Sequence, residues 1–432
     1  MKPKKRQVLF VVVFILLIIG FLEITLGLLA FVSPRVNVLL TSPHTPPFVG
    51  DNRLERRPNP AYPGHDRQGF RNLAVPAKAD TIALGDSQTY GTGVNPADAW
   101  PRQLESLTGK VVYSMAFGGY GPTHSLVLWD EAVALSPTTV IEAFYIGNDL
   151  FDSFNHVYNN EQLSELKTSD PRLQASVREA ERSAPIAQRA SLMFHISTQP
   201  VADAKEATTV TRDSFPLRTL LSEHSRVYSL FMKAYERARM TKQPNTPQEK
   251  WEKAKAFANA NPASCEVFSD EQFKTIFTSA YRLVALDLDD PRIAEGLQIS
   301  LKAIQRMHEL AALKGIRFFV ALIPTKEAVF RQLWQNPSAS FRRSTENEER
   351  VWRLTKEFLE RNGIEYLDAL PALREQLMAG VQPYQVSHDG HPNEHGHAAI
   401  AKLVAAHLAS PKASQVEQDA PPNVRMSKSG HE

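Results

Sequence analysis

The stretch that decides the fold is Thr81-Ile-Ala-Leu-Gly-Asp-Ser-Gln-Thr-Tyr-Gly91, in which a short apolar run stops at Gly85-Asp86-Ser87. A short apolar run bounded by turn residues is typical of a buried strand. The sequence therefore places the Ser87 hydroxyl at the end of a strand, where it can serve as a nucleophile. Taken alone, this Gly-Asp-Ser is more typical of an ordinary turn whose serine caps a helix.

Two further apolar stretches end in the same manner. Val111-Val-Tyr-Ser-Met-Ala-Phe-Gly-Gly-Tyr-Gly121 ends in glycines, and Val140-Ile-Glu-Ala-Phe-Tyr-Ile-Gly-Asn-Asp149 ends in Gly-Asn-Asp. Each ending is also compatible with a simple turn. Ligands of open α/β sheets bind at the carboxyl ends of the strands, so we expect the three strand ends to face one crevice.

The other end of the chain carries the acid and base that a nucleophilic serine needs, in Ser387-His-Asp-Gly-His-Pro-Asn-Glu-His-Gly396. A serine hydroxyl is a poor nucleophile at neutral pH, and an imidazole must accept its proton and later return it. The ordinary histidine pKa of about 6.5 suits both tasks. A neighbouring carboxylate can hold the imidazole in one tautomer.

With these motifs the chain resembles the SGNH, or GDSL, hydrolase superfamily, whose four motif blocks occur here in the family's order. The resemblance covers about residues 66–150 and 316–408, and the segment between them is not covered. Asp66-Arg-Gln-Gly-Phe-Arg-Asn72 is similar to the lead-in of membrane-anchored bacterial members. The resemblance implies an enzyme that acts on ester bonds.

The resemblance also implies roles for individual residues. Ser87 matches the nucleophile, His391 the general base and Asp389 the group that orients it. The backbone N–H groups of Ser87 and Gly119 and the side-chain amide of Asn148 match the oxyanion hole. Such donors typically contribute about 3–4 kcal/mol each to the stabilisation of a tetrahedral intermediate.

Two details differ from the family's commonest pattern. Only one residue separates Asp389 from His391, a shorter spacing that some members share when Pro-Asn follows. Gly147 directly precedes Asn148, whereas the family's glycine usually lies two residues before the asparagine. In addition, Gly118 competes with its neighbour Gly119 as the backbone donor.

The histidine-rich stretch also suggests a metal site. Its potential ligands are His388, Asp389, His391, His395 and His397. Pro392-Asn393 predicts a turn and a helix start that divide these side chains between a loop and a helix, and residues two apart do not share a helix face. We therefore predict no metal, and we interpret His395 and His397 as surface or packing residues.

Composition narrows the function classes further. The chain has 432 residues, 43% of them hydrophobic, a formal net charge of +2 and a single cysteine, Cys265. Nearly balanced charges give no reason to expect a nucleic acid partner, and one cysteine excludes an intramolecular disulfide. Gly91-Thr-Gly93 lacks the further glycine and the lysine of a phosphate-binding loop. We predict no cofactor.

The N-terminus predicts the location. Lys2, Lys4, Lys5 and Arg6 precede an apolar run from Val8 to Val32, interrupted by Glu23. About 20 apolar residues are enough to cross a bilayer, and the basic flank is expected on the cytoplasmic side. We therefore predict a single-pass anchor in the inner or plasma membrane, with the catalytic domain outside the cytoplasm and, in a Gram-negative cell, in the periplasm. A cleaved signal peptide is the alternative, and Glu23 is either a pairing residue or one that reaches water.

The expected fold is α/β, a three-layer flavodoxin-like sandwich with a mainly parallel sheet, a helical insertion and an N-terminal transmembrane helix. Helical and strand patterns alternate after residue 285, which predicts βαβ units, and Lys326 and Glu327 are expected in a solvated loop after one strand. The predicted divisions are an anchor at 1–32, a Pro-rich spacer at 33–65, the two parts of the hydrolase domain at 66–150 and 286–409, a mainly helical insertion at 151–285 and a disordered tail at 410–432.

These observations lead to one functional expectation with two alternatives. We expect a serine esterase that hydrolyses an ester through an acyl-enzyme intermediate, with an O-acyl group of a cell-envelope carbohydrate as substrate. An O-acyltransferase with the same triad is the first alternative, because transfer differs from hydrolysis only in the acceptor of the acyl group. A non-catalytic, membrane-tethered binding protein is the second.

Overall fold

The computed structural model describes residues 3–32, 40, 45–186, 188, 225–240 and 246–410. Several predicted features lie outside the described residues. These are the tail beyond Ser410, residues 33–39 and 41–44 of the predicted spacer, and most of 187–224 within the predicted insertion.

The described chain alternates between strands and helices along most of its length. The strands are β1 (Phe48–Asp51), β2 (Glu55–Pro58), β3 (Thr81–Gly85), β4 (Val112–Ala116), β5 (Thr139–Tyr145), β6 (Glu266–Ser269), β7 (Lys274–Phe277), β8 (Arg317–Ile323) and β9 (Glu365–Asp368). The helices are α1 (Pro3–Val32), α2 (Ser87–Tyr90), α3 (Trp100–Thr108), α4 (Pro122–Val127), α5 (Trp129–Val133), α6 (Asp149–Tyr158), α7 (Pro171–Ser183), α8 (Arg226–Met240), α9 (Pro247–Ala260), α10 (Ser279–Ala285), α11 (Pro291–Leu313), α12 (Lys326–Phe330), α13 (Ala339–Arg361), α14 (Leu370–Met378) and α15 (Glu394–Ala409). Short 3₁₀ turns cover Pro96–Asp98 and Ser164–Leu166.

The central sheet has five strands in the order β4-β3-β5-β8-β9, and every neighbouring pair is parallel. Counted along the chain, this is the order 2-1-3-4-5 of flavodoxin-like folds. The order reverses between β3 and β5, so the loops after these strands leave in opposite directions and open a crevice. The predicted α/β class with a parallel sheet is confirmed.

Helices cover both faces of the sheet because the strands are apolar on both faces. Along β8, Val320 and Leu322 pack into one core with α11, while Phe319 and Ala321 pack into a second core with α3 and α15. The apolar face of α11, which comprises Ile293, Leu297, Leu301, Ile304 and Met307, lies in the first core. The result is the expected three-layer sandwich.

The first departure from the predicted organisation is the hairpin of β1 and β2. It lies within the stretch expected to be a spacer, yet Leu54 at its turn is buried in the main core. Arg57 pairs with Glu131 on α5, and Arg53 donates to the carbonyl of Val127. The prolines around the hairpin suggested a spacer, but these long-range contacts attach residues 48–58 to the sandwich.

Residues 151–285 contain more than helices. The helical part includes α7, α8 and α9, and an antiparallel hairpin of β6 and β7 follows. The predicted boundary at residue 150 falls within α6, whose Leu150 and Phe154 belong to the main core. The first part of the sandwich therefore continues through this helix.

The N-terminal helix α1 contains the one span among the described residues that is long and apolar enough to cross a membrane, Val13–Val32, with a mean hydropathy of 2.6. Such a helix is compatible with either a membrane anchor or a signal sequence. Glu23 is a pairing residue in this structure, because its carboxylate accepts hydrogen bonds from Ser225 Oγ and from the backbone N–H groups of Arg226 and Val227. These contacts join α1 to the start of α8.

One buried acid lies in the centre of the sheet. Glu142 on β5 pairs with Leu84 of β3 in the strand register and is fully buried. Burial raises the pKa of Glu142 to about 8. The folded protein therefore keeps a proton on Glu142 at neutral pH that the unfolded chain releases.

We expect the Glu142→Gln variant to gain stability relative to the wild type as pH rises from about 4.5 to about 8. Across this range the unfolded wild-type chain loses a proton that the folded state retains, so its free energy of unfolding falls with pH, whereas glutamine does not titrate. Thermal melts of both proteins between pH 4 and 9 measure the difference, and the exposed Glu252→Gln serves as the control for charge loss. Parallel stability curves for wild type and Glu142→Gln would contradict the expectation.

Candidate active site

The turn after β3 presents Ser87 at the crevice. Gly85 has a φ of +147°, and a Cβ there would lie 2.6 Å from Thr89 Oγ1, so glycine is required at this close turn. Asp86 caps α2 by accepting a hydrogen bond from the backbone N–H of Gln88 at 2.8 Å. Ser87 is the first residue of α2 and remains partly exposed.

Ser87, His391 and Asp389 form one continuous chain of hydrogen bonds. Ser87 Oγ lies 2.8 Å from His391 Nε2, and His391 Nδ1 lies 2.5 Å from Asp389 Oδ1. The carboxylate accepts the Nδ1 proton, so in the neutral ring Nε2 is the acceptor for the serine hydroxyl. The structure thus brings Ser87 to a histidine and an aspartate about 300 positions away in the sequence, in the geometry required for proton transfer from serine.

A buried lysine, Lys326, binds the loop that carries Asp389 and His391. Lys326 Nζ donates to the carbonyls of Ser387 at 2.8 Å and Asp389 at 2.9 Å. At the far end of the loop, Asn393 caps α15 by accepting hydrogen bonds from two backbone N–H groups. The expectation of a solvated loop at Lys326 and Glu327 is wrong, because both side chains are buried under the site.

A buried arginine connects the two halves of the crevice. Arg282 Nη1 donates to the carbonyl of Gly147 at 3.0 Å, and its Nε lies 3.3 Å from the Glu327 carboxylate. A Cβ on Gly390 would lie 2.6 Å from Arg282 Nη2, so the guanidinium also contacts the loop of His391. Sequence reasoning missed Arg282, because it lies on α10 far from any motif.

Two of the three residues predicted for the oxyanion hole, Gly119 and Asn148, follow β4 and β5, and the third is Ser87 after β3. Gly119 has a φ of +79°, which favours glycine, and a Cβ on Gly118 would lie 3.9 Å from Ser87 Cβ. The side-chain amide of Asn148 donates to the carboxylate of Asp152, which orients the amide and leaves its second N–H for another acceptor. The choice between Gly118 and Gly119 as donor stays a prediction.

The charges around His391 favour its protonated form. Burial alone lowers the pKa of His391, but the charge and hydrogen bond of Asp389 outweigh it and raise that pKa above the ordinary value. The pKa of Asp389 falls to about 2, because the interactions with His391 outweigh the effect of burial. Burial raises the pKa of Asp86 to about 6. Asp389 is therefore an anion at neutral pH and stabilises an imidazolium.

The remaining histidines of the motif point elsewhere. His388 stacks on Phe257 at 4.3 Å between ring centres, and His397 is buried and accepts a hydrogen bond from the backbone N–H of Trp100. His395 is exposed on α15. Within the described ranges, no three or more His, Cys, Asp or Glu residues form a group that could hold a metal ion.

Comparison with known proteins gives structural similarity without sequence similarity. No family model matches the chain, and no curated protein matches it. A GDSL-like lipase from Bacteroides thetaiotaomicron VPI-5482 has a TM-score of 0.31 and 10% identity, over 77% of this chain and 88% of the lipase. Phospholipase A1 from Streptomyces albidoflavus NA297 has a TM-score of 0.37 and 10% identity, over 77% of this chain and 100% of the phospholipase.

We expect turnover of an aryl ester to rise with pH, with a midpoint above about 6.5, because the imidazole acts as a base only when neutral and Asp389 raises its pKa. Asp389→Asn should move this midpoint to lower pH and reduce the maximal kcat/KM by about 10²- to 10⁴-fold, because the tautomer is no longer fixed. The pH dependence of kcat/KM for both proteins measures these effects.

His395→Ala is the matched control, since that ring is exposed and lies beyond the Asn393 cap. We expect its pH profile and its activity in the presence of a chelator to equal those of the wild type. A midpoint that Asp389→Asn leaves in place, or chelator-sensitive activity that His395→Ala abolishes, would contradict the assignment.

Proposed function

We propose that this protein is a membrane-anchored serine esterase of the SGNH type, with Ser87, His391 and Asp389 as its catalytic triad. The observation that supports the proposal is the unbroken hydrogen-bond chain from the partly exposed Ser87 hydroxyl through His391 to Asp389. A serine that only capped a helix would not require an oriented imidazole at 2.8 Å.

In the first half of the reaction, His391 Nε2 takes the Ser87 proton as Oγ attacks the carbonyl carbon of the ester. A bond forms between Oγ and that carbon, and the carbonyl electron pair moves onto oxygen. Asp389 stabilises the imidazolium that results. When the tetrahedral intermediate collapses, the bond to the alcohol breaks and the imidazolium gives its proton to the leaving oxygen.

In the second half, water attacks the acyl-enzyme. His391 takes a proton from the water, and the tetrahedral intermediate breaks its bond to Ser87 Oγ as the serine recovers its proton. The products are the free acid and the regenerated enzyme. If a sugar hydroxyl replaced the water, the same steps would transfer the acyl group.

The negative charge of both intermediates develops on the former carbonyl oxygen. We assign its stabilisation to the backbone N–H groups of Ser87 and Gly119 and to the Asn148 amide. The hydrogen bond from Asn148 to Asp152 supports this assignment, because it fixes the amide before the substrate arrives. Preorganised donors of this kind need no reorganisation during the reaction.

The apolar helix α1 supports a proposal for the cellular location of the esterase. We propose that α1 spans the inner or plasma membrane and leaves the sandwich outside the cytoplasm, because basic residues precede its apolar run. There the enzyme would meet the acylated carbohydrates of the cell envelope. We therefore propose an O-acyl group of such a carbohydrate as the substrate.

We expect the full-length protein to release acetate from an acetylated polysaccharide and the Ser87→Ala variant to release none. The substitution removes the nucleophile from a turn and opens no core cavity, so the thermal stability should be unchanged. A fluorophosphonate probe should label the wild type and the control variant Ser106→Ala, an exposed serine on α3, but not Ser87→Ala.

The same incubation separates the alternatives. Acyl transfer to an added sugar acceptor in place of acetate release would identify a transferase. Undiminished ester turnover or labelling in Ser87→Ala would refute the serine mechanism, and the absence of both in the wild type would favour a binding protein.

For the anchor, we expect the full-length chain to remain in the membrane fraction after a high-salt wash. Protease added to cells with a permeabilised outer barrier should digest the sandwich, because the basic flank of α1 stays inside. A soluble chain that has lost its first 30 or so residues would show that α1 is a cleaved signal sequence instead.

A further inference from the structure

The hairpin of β1 and β2 brings an arginine, Arg56, next to the candidate oxyanion hole. Its backbone is fixed next to the loop after β4, where the hydroxyl of Tyr120 donates to the carbonyl of Arg56 at 2.8 Å. Phe48 on β1 packs edge-on against Phe117 in the same loop. Arg56 is therefore a positioned residue of the sandwich and not part of a free linker.

The guanidinium of Arg56 lies directly against Gly119. A Cβ on this glycine would be only 2.9 Å from Arg56 Nη2, so any other residue would displace the arginine. The side chain also passes over the Phe48 ring, with 5.5 Å from Cζ to the ring centre. Gly119 follows Gly118, whose own Cβ position lies 3.9 Å from Ser87 Cβ. The guanidinium of Arg56 therefore lies next to the glycine pair that borders Ser87.

Arg56 differs from the other arginines of its hairpin in what its guanidinium binds. Arg53 donates to the Val127 carbonyl, and Arg57 pairs with Glu131. Among the described residues, the guanidinium of Arg56 contacts the Phe48 ring but forms no hydrogen bond or ion pair. Arg56 is partly exposed, so its guanidinium has hydrogen-bonding capacity that the described residues do not use.

Asp152 interacts electrostatically with Arg56 but forms no ion pair with it in the described part of the chain. Asp152 accepts the amide of Asn148, and burial raises the pKa of Asp152 well above its ordinary value even though Arg56 lowers it. A site with an uncompensated guanidinium beside the oxyanion donors favours a negatively charged ligand.

We propose that Arg56 is a specificity-determining residue that binds an anionic group, such as a carboxylate, next to the ester of the substrate. This inference rests on the proposed esterase function and narrows it to esters of acidic molecules. The planar guanidinium suits bidentate binding of a carboxylate or a phosphate. The partly exposed ring of Phe48 provides an apolar surface beside the charge.

The test compares esters that differ only in charge. For a charge on the acyl side, the pair is 4-nitrophenyl glutarate, with its free carboxylate, and 4-nitrophenyl pentanoate. For a charge on the alcohol side, the pair is 7-acetoxycoumarin-4-acetate and 4-methylumbelliferyl acetate. In at least one pair, the ratio of kcat/KM for the anionic over the neutral ester should fall about tenfold or more in Arg56→Gln, the scale of one lost charge-assisted contact. Arg56→Lys should lose part of the ratio, since it keeps the charge without the fork.

The control is Arg67→Gln, which removes the same charge from an exposed position on a neighbouring turn and should keep the wild-type ratio. An equal fall for both members of each pair would mean that Arg56 acts only on the oxyanion or on folding, and it would overturn the proposal. An unchanged ratio in both pairs would overturn it as well.

A binding measurement tests the role of Arg56 independently of the esterase assignment. With Ser87→Ala protein, which cannot turn over, the Kd of each anionic ester is compared with that in the double variant Ser87→Ala/Arg56→Gln. We expect a tenfold or greater weakening for the ester that the site accepts, whether or not the wild type hydrolyses it. If each anionic ester has the same Kd in Ser87→Ala and in Ser87→Ala/Arg56→Gln, the role of Arg56 is refuted. Absent turnover in the wild type refutes only the esterase assignment.

Discussion

The parallel alignment of β3, β4, β5 and β8 is the constraint on which the rest of the structure depends. Because the four strands run in one direction, the loops that follow them all begin at the carboxyl end of the sheet. The serine turn, the glycines after β4, Asn148 and the buried Lys326 all lie in these loops. Apolar side chains on both faces of each strand fix the register, since a shift of one residue would exchange the two cores. The sheet therefore fixes the relative positions of these residues.

Buried charged side chains position the part of the site that does not follow a strand of the sheet. Asp389 and His391 lie in a long connection between α14 and α15, where the backbone has few regular partners of its own. Lys326 binds two carbonyls of this connection, and Arg282 contacts it while binding the loop after β5. Desolvation makes such groups costly unless they are paired, and here the carbonyls and Glu327 provide the pairing. This pairing offsets the cost of burial, and the paired groups position the loop that carries the imidazole.

The hairpin of β1 and β2, which lies between α1 and β3 in the sequence, contributes to the structure around the candidate site. Fifteen residues separate it from α1, and it docks beside the glycines that follow β4, where it places Arg56 next to Gly119. The contact between Glu23 and the start of α8 joins the apolar helix to the segment inserted in the sandwich. Of these two contacts, the hairpin reaches the surroundings of the candidate site, next to Gly119.

The sequence by itself determined the fold class and predicted the candidate catalytic residues, because both follow from local patterns. Short apolar runs ending in turn residues predicted the parallel strands, and the Gly-Asp-Ser and Asp-Gly-His motifs contain Ser87, Asp389 and His391. Only the tertiary structure decided which charged residues support them. Arg282, Lys326 and Arg56 reach the site from a helix, a strand end and a hairpin that no motif marks, and their burial or position follows from packing across long sequence separations. The spacer prediction failed at residues 48–58 for the same reason. Local proline content indicated an extended segment, whereas Leu54 and Arg57 find their partners on the folded sandwich.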